Sequence, residues 1–233
     1  MIKIVPALAG FALLTGGAAA APSAKTLPRS RQTPPVVLPL ADMAITPSAE
    51  AQRVAGWIAS ARDNHALPYA IVDKRTASLV LYDAHGLALG QVPVLIGIAT
   101  GDDASPGVGS KKLGEIGPAE KTTPAGRFLA KFGYAAGRQR VLWVDYANSV
   151  AIHPIPADAA SVEKRRDRML SPEKDDNRIT FGCINVPAAF YGKIVRPLFQ
   201  KKGGYVYVLP DTKALEAVFP RLRVYDLTAG ASL

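Results

Sequence analysis

Past residue 68 the hydrophobic period of the chain changes from helical to strand-like, and no other feature constrains the fold as much. Tyr69-Ala-Ile-Val-Asp73 and Ser78-Leu-Val-Leu-Tyr82 read as strands joined by the polar Lys74-Arg75-Thr76. After the turn Asp83-Ala-His-Gly86, strand character continues through Leu87–Gly90 and Gln91–Gly97, with Pro93 marking an edge or a bulge. Further strands are expected from Thr122 to Phe132 after a Thr-Pro turn, at Arg140–Tyr146, at Ser149–His153 and at Gly204–Leu209. Before this run, Val54, Trp57, Ile58 and Ala61 share one face of a helix over about Pro47–Arg62, with Thr46 as its cap. A second helix is expected from Ala188 to Phe199, and a short one over Thr212–Val218. Two polar stretches, Gly101–Lys121 and Pro154–Arg178, interrupt the strands as long loops, the second with room for a short helix. Strands dominate and no repeat is present, so the expected class is mainly β, a largely antiparallel sandwich or barrel with a few helices.

The first 20 residues carry one positive charge at Lys3, an apolar run to Leu14, then small residues. This reads as a secretory signal cleaved after Ala20, too short and too rich in Gly and Ala to span a bilayer. Residues 21–45, with Pro22, Pro28, Pro34, Pro35 and Pro39, read as an extended linker. Residues 46–68 form a helical segment packed on a domain at 69–233. The expected location is exported, in the periplasm or cell envelope, with no spanning segment. The net charge is +9; removing Lys3 leaves 27 basic against 19 acidic side chains, or +8. Outside the cytoplasm such a balance favours an anionic cell wall or lipid surface. Basic and aromatic residues are not interleaved, so no nucleic acid is expected as a partner.

Cys183 is the only cysteine in the chain. In an oxidising compartment cysteines usually pair, so a lone one points to a reactive thiol, although a buried structural cysteine is the plain alternative. It lies in Arg178-Ile-Thr-Phe-Gly-Cys-Ile-Asn-Val-Pro187, which reads as a strand ending in a tight turn. Gly182 permits that bend, and Pro187 suits the first turn of a helix. A thiol there would be presented outward near backbone N–H groups. A thiol nucleophile needs an imidazole to take its proton. His65 and His85 lie in exposed connections, whereas His153 ends an apolar strand immediately before the long insertion. One cysteine and three histidines show no metal-ligand spacing, so neither a metal nor another cofactor is expected.

These residues carry a resemblance. The chain resembles the L,D-transpeptidases, exported enzymes that cross-link peptidoglycan through a cysteine. Their pattern is a strand-terminal His, a variable lid, and Ser/Thr-His-Gly-Cys followed by an apolar residue and Asn or Arg. Here it reads as His153, a lid of about 26 residues, and Thr180-Phe-Gly-Cys-Ile-Asn185. Thr123-Pro-Ala-Gly-Arg-Phe128 matches the Thr-Pro-x-Gly-x-Phe segment of that family, and Val94–Ala99 its preceding strand. The likeness covers roughly residues 69–210. Two departures stand out: the lid is long, and Phe181 replaces the second histidine.

The resemblance implies an L,D-transpeptidase-like β-sandwich with a long lid between catalytic His153 and Cys183. Gly182 and Cys183 would supply oxyanion N–H groups. Thr180 and Phe181 would shape the site, Asn185 would brace the turn or touch the donor, and Arg178 or a lid base would hold a stem carboxylate. The partners implied are donor and acceptor stem peptides and carbapenem-type inhibitors. Alternatives are a carboxypeptidase or hydrolase using water as acceptor, and a non-catalytic wall-binding module.

Overall fold

A computed structural model describes residues 46–135, 139–157 and 163–225, all within the unit Val37–Leu233. The expected signal and linker lie outside these residues. Helix α1 (Ala49–Ala61) opens the described chain, capped by the Ser48 hydroxyl accepting from the Ala51 N–H. The cap is therefore Ser48 rather than Thr46. With Ser48 extended at φ −61°, ψ 160°, its hydroxyl reaches the first turn, and Pro47 stays outside the helix.

Among the described residues ten strands follow: β1 (Tyr69–Asp73), β2 (Ser78–Tyr82), β3 (Ala88–Pro93), β4 (Ile96–Gly97), β5 (Gly126–Tyr134), β6 (Arg140–Asp145), β7 (Val150–Pro154), β8 (Arg178–Thr180), β9 (Ile184–Val186) and β10 (Gly204–Val208). Eight of them form one sheet in the order β3-β2-β1-β10-β5-β6-β7-β9, and β4 pairs with β8. Pro93 closes the edge strand β3, where no ladder bond is lost to its missing N–H. The architecture is mainly β and sandwich-like with a few short helices, as the strand pattern predicts. Pairing is antiparallel except at β1–β10, β7–β9 and β4–β8. The Gly101–Lys121 stretch contains three single 3-10 turns, and the lid before Cys183 contains α2 (Arg165–Met169). After β9 the chain forms α3 (Ala188–Phe190), a π segment (Tyr191–Val195) and α4 (Arg196–Phe199); α5 (Leu215–Val218) follows β10.

Alternation sorts the strands between two cores. Ala70, Val72, Leu79, Leu81, Val206 and Val208 face a core that also takes Leu142, Ile152, Ile184 and the helical segment's Phe190, Ile194 and Phe199. Strands from both ends of the sheet contribute to it, so the sheet closes around this core. Tyr69, Ile71, Val80, Tyr82 and Tyr207 face the other way, onto Trp57, Ile58 and Phe219. Tyr69 stacks on Tyr82 at 4.6 Å, and Trp57 meets Tyr207 edge-on at 6.0 Å. The central strands are thus buried on both faces, which is why they read as continuous apolar runs.

Beneath the long loop lies a buried ion network. The Lys74 side chain is fully buried, with its Nζ bound to the Gly101 carbonyl, Asp102 Oδ1 (3.0 Å), the Thr123 carbonyl (3.0 Å) and Asp211 Oδ2 (3.2 Å). Asp102 accepts in addition from the Asp211, Thr212 and Lys213 N–H groups and from the Thr212 hydroxyl. Burial alone would raise its carboxyl. The bonds from Lys213, Asp211, Thr212 and Lys74 outweigh that and hold it well below the usual carboxylate range. Arg178 closes the network on Asp211 Oδ1 at 2.6 Å.

Candidate active site

His153 and Cys183 come from neighbouring parallel strands. Register places Ile152 opposite Ile184 and His153 opposite Asn185, so Cys183, immediately before β9, falls opposite Ala151. Ile152 and Ile184 point into the core; His153, Asn185 and Cys183 therefore share the outer face, with the imidazole diagonal to the thiol. Diagonal neighbours on a sheet lie ~7–8 Å apart, with their Cβ atoms somewhat closer. The half-buried thiol donates to the Ser149 carbonyl at 3.5 Å, not to the imidazole.

The imidazole's tautomer follows from its partners. Nδ1 lies 2.8 Å from the Pro154 carbonyl, which can only accept, so Nδ1 carries the hydrogen and Nε2 keeps its lone pair. Asn185 is fully buried opposite the ring, its Nδ2 3.4 Å from Nε2. Arg165 of α2 donates from Nη1 to Asn185 Oδ1 at 2.8 Å, which turns the amide's NH2 toward the histidine. A second bond, from Arg165 Nε to Glu163 at 2.6 Å, anchors that guanidinium.

Burial pushes the Cys183 thiol up; an N–H bond from Ala151 and the Arg165 charge oppose it without winning. Burial likewise pushes His153 down, with the Pro154 bond opposing and Arg165 reinforcing the drop. The resting pair is therefore a neutral thiol and a neutral imidazole. Iodoacetamide should label Cys183 slowly at pH 7, with a rate still climbing above the ordinary thiol value of about 8.5. Arg165→Gln should slow the labelling further. Fast labelling that does not change between pH 6 and 8 would contradict this electrostatic picture.

The turn before Cys183 is built by two threonines. The Thr180 hydroxyl donates to the Cys183 carbonyl at 2.6 Å and accepts the Gly182 N–H at 3.2 Å. The Thr123 hydroxyl donates to the Gly182 carbonyl and accepts from the Gly97 N–H, both at 2.8 Å. Gly182 sits at φ +119°, and a Cβ there would lie 2.6 Å from the Thr122 carbonyl oxygen, so no other residue fits.

Three sequence expectations change. The residues after Cys183 are not all turn: Ile184-Asn185-Val186 forms β9 by pairing with β7, and α3 then starts at Ala188, where the helix was expected. Pro187 is accordingly that helix's cap residue. Gly182 is not a free oxyanion donor, since Thr180 takes its N–H; the Cys183 N–H is the one left. Arg178 is not presented to a ligand, being bound to Asp211 with its side chain 13% exposed. Phe181 stands at the surface, 37% exposed, under the Lys121 ammonium at 3.8 Å from the ring centre. His65 and His85 are exposed, as expected. Sequence reasoning did not single out Arg165; one basic residue among several in the lid carries no local mark of burial.

No protein-family profile and no curated protein matches this chain. Among solved structures it is similar to the helical cell shape determining protein Pgp2 of Campylobacter jejuni, with 16% identity and a TM-score of 0.44. That match covers 71% of this chain and 57% of Pgp2. An L,D-transpeptidase of Xylanimonas cellulosilytica gives 13% identity and 0.35, covering 61% of this chain and 60% of that one. The catalytic domain of an Enterococcus faecium L,D-transpeptidase gives 19% and 0.33, covering 60% and 95%. This chain thus spans less than two thirds of the length of the first two.

Proposed function

We propose that this chain is an exported cysteine acyltransferase of the L,D-transpeptidase type, acting on peptidoglycan stem peptides in the cell envelope. One observation carries the reading. A lone cysteine and a histidine whose Nε2 carries no hydrogen sit diagonally on one sheet face, within the sequence pattern that resembles that family.

The chemistry needs little beyond these groups. The thiol turns from the Ser149 carbonyl toward Nε2, which takes its proton; such bonds often form only with substrate present. The thiolate attacks the carbonyl preceding a terminal D-Ala in the donor stem. The oxyanion accepts from the Cys183 N–H, and the Arg165 charge nearby favours both the thiolate and the negative intermediate. D-Ala leaves with the proton from His153, and a thioester remains. An amine of a second stem attacks it, His153 takes the amine's proton, and the thiol is released as the cross-link forms. Of the basic residues considered for the stem carboxylate, Arg178 is held by Asp211, and Arg165, although beside the reacting pair, is held by Glu163 and Asn185; its part is to orient Asn185 and lend charge.

A second reading is favoured by the thiol's bond to Ser149 O in place of the imidazole: a wall-binding module that keeps the pair without using it. Incubation with a purified tetrapeptide muropeptide, followed by mass spectrometry, decides. A dimer one D-Ala lighter than two substrates is the expected product, absent with Cys183→Ala. Tripeptide alone would mean that water is the acceptor, and unchanged substrate would favour the binding module.

A further inference from the structure

We infer that the sheet face carrying the thiol extends into a saccharide-binding platform on β5 and β6, centred on Trp143. Register runs a single row across the sheet: Lys131 opposite Trp143, Trp143 opposite Ala151, and Ala151 opposite Cys183. Core contacts take the alternate residues Phe132, Leu142, Val144 and Ile152, so this row lies on the outer face. Helix α1 covers that face over β1, β2 and β10, and α2 reaches it at Asn185. Between them stands a groove of about 460 Å³ lined by Leu129, Lys131, Trp143 and Tyr146 among others.

The groove has the chemistry of a sugar site. Trp143 and Tyr146 meet edge-on at 5.1 Å, and Tyr146 is 75% exposed, so the pair leaves a large aromatic surface open to solvent. The Cδ1–Nε1 edge of the indole packs against Gly133, where a Cβ would stand 2.7 Å from Cδ1; the glycine makes room for the ring. The indole N–H is buried against the strand and finds no acceptor among the described residues, so what the indole offers a ligand is ring surface. A pyranose ring offers C–H faces that stack on aromatic rings and hydroxyls that accept from an ammonium such as that of Lys131. Lys131, beside them, complements carboxylates carried on such a polymer. Ala151, small and between Trp143 and Cys183, leaves the path open. Two strand spacings, ~10 Å, separate the Trp143 and Cys183 rows. Choosing a glycan backbone as the occupant rests on the peptidoglycan reading above; the platform itself rests on this row of residues.

The test is calorimetric titration of a β-1,4-linked N-acetylglucosamine hexasaccharide into the full chain. Binding is expected for the unmodified protein and for Cys183→Ala. It should weaken at least about 10-fold in Trp143→Ala and about 3-fold in Tyr146→Ala, whose exposed ring is removed without disturbing the core. Equal binding by Tyr146→Ala and a folded Trp143→Ala, or no binding by the unmodified protein, overturns the inference. Self-association lost in Tyr146→Ala, without saccharide binding, would make the face an interface between copies and overturn it too. Saccharide binding without turnover of muropeptides would sink the enzymatic reading and leave the platform standing. Turnover without saccharide binding would do the reverse.

Discussion

Lys74→Met is expected to lower the stability of the fold by about 3–5 kcal/mol, because removing one partner of a buried charge cluster strands the others. Asp102 and Asp211 have side chains 1% and 3% exposed, and Lys74 is the cation that reaches both. At roughly 2–4 °C per kcal/mol for a domain of this size, the midpoint of thermal unfolding should fall by about 10 °C. Asp102 also predicts a direction with pH. Its carboxyl is held low in the folded state, so its contribution is present above the unfolded value of about 3.9 and is lost as pH falls through the folded one. The variant should therefore unfold in acid at a higher pH than the parent. The site should suffer as well: Lys74 holds the Thr123 carbonyl, and Thr123 holds Gly182. Thermal melts followed by circular dichroism across pH 2–7 provide the check, and a midpoint within 2 °C of the parent at pH 7 would refute the network's role.

His153→Ala should reduce turnover by about 10²–10⁴-fold, the usual contribution of a positioned general base, with the fold intact. The side chain is half-buried at a strand end, and Ile152 keeps the strand anchored in the core. A pH signature separates a base from a mere spacer. With His153 pushed below the ordinary imidazole value of about 6.5, the acid limb of the parent's kcat/KM profile should lie below that value and vanish in the variant. The same displacement predicts a stability effect. Between the folded and unfolded values the unfolded chain binds the extra proton, so the parent loses stability as pH drops through that window and His153→Ala does not. Asn185→Ala should retain the acid limb with reduced kcat, since it positions the ring without titrating.

How legible the protein is in its sequence depends on the range of the interaction that decides each element. Strands β1, β2 and β10 and helix α1 follow from side-chain period alone, because they are packed on both faces or along one stripe. Cys183 and His153 stand out by scarcity and by position at strand ends. The split of the Cys183 stretch into β8, a turn and β9 is not readable locally. It exists because Ile184–Val186 pairs with β7, some thirty residues earlier in the chain. Lys74 sits in a polar triplet that resembles any hairpin tip; only residues 101, 102, 123 and 211 reveal it as buried. The places of Arg178 and Arg165 are hidden for the same reason. Each looks like a surface base, and a distant partner, Asp211 or Asn185, decides which one reaches the site.

The proposed chemistry requires that the Cys183 sulfur be acylated by a molecule that mimics the donor stem. Exposure to a carbapenem followed by intact-mass and peptide mass spectrometry measures this directly. One adduct per chain, mapped to Cys183, slower to form in His153→Ala and absent in Cys183→Ala, is the predicted result. A folded protein that gains no mass, or gains it equally without the cysteine, would contradict it.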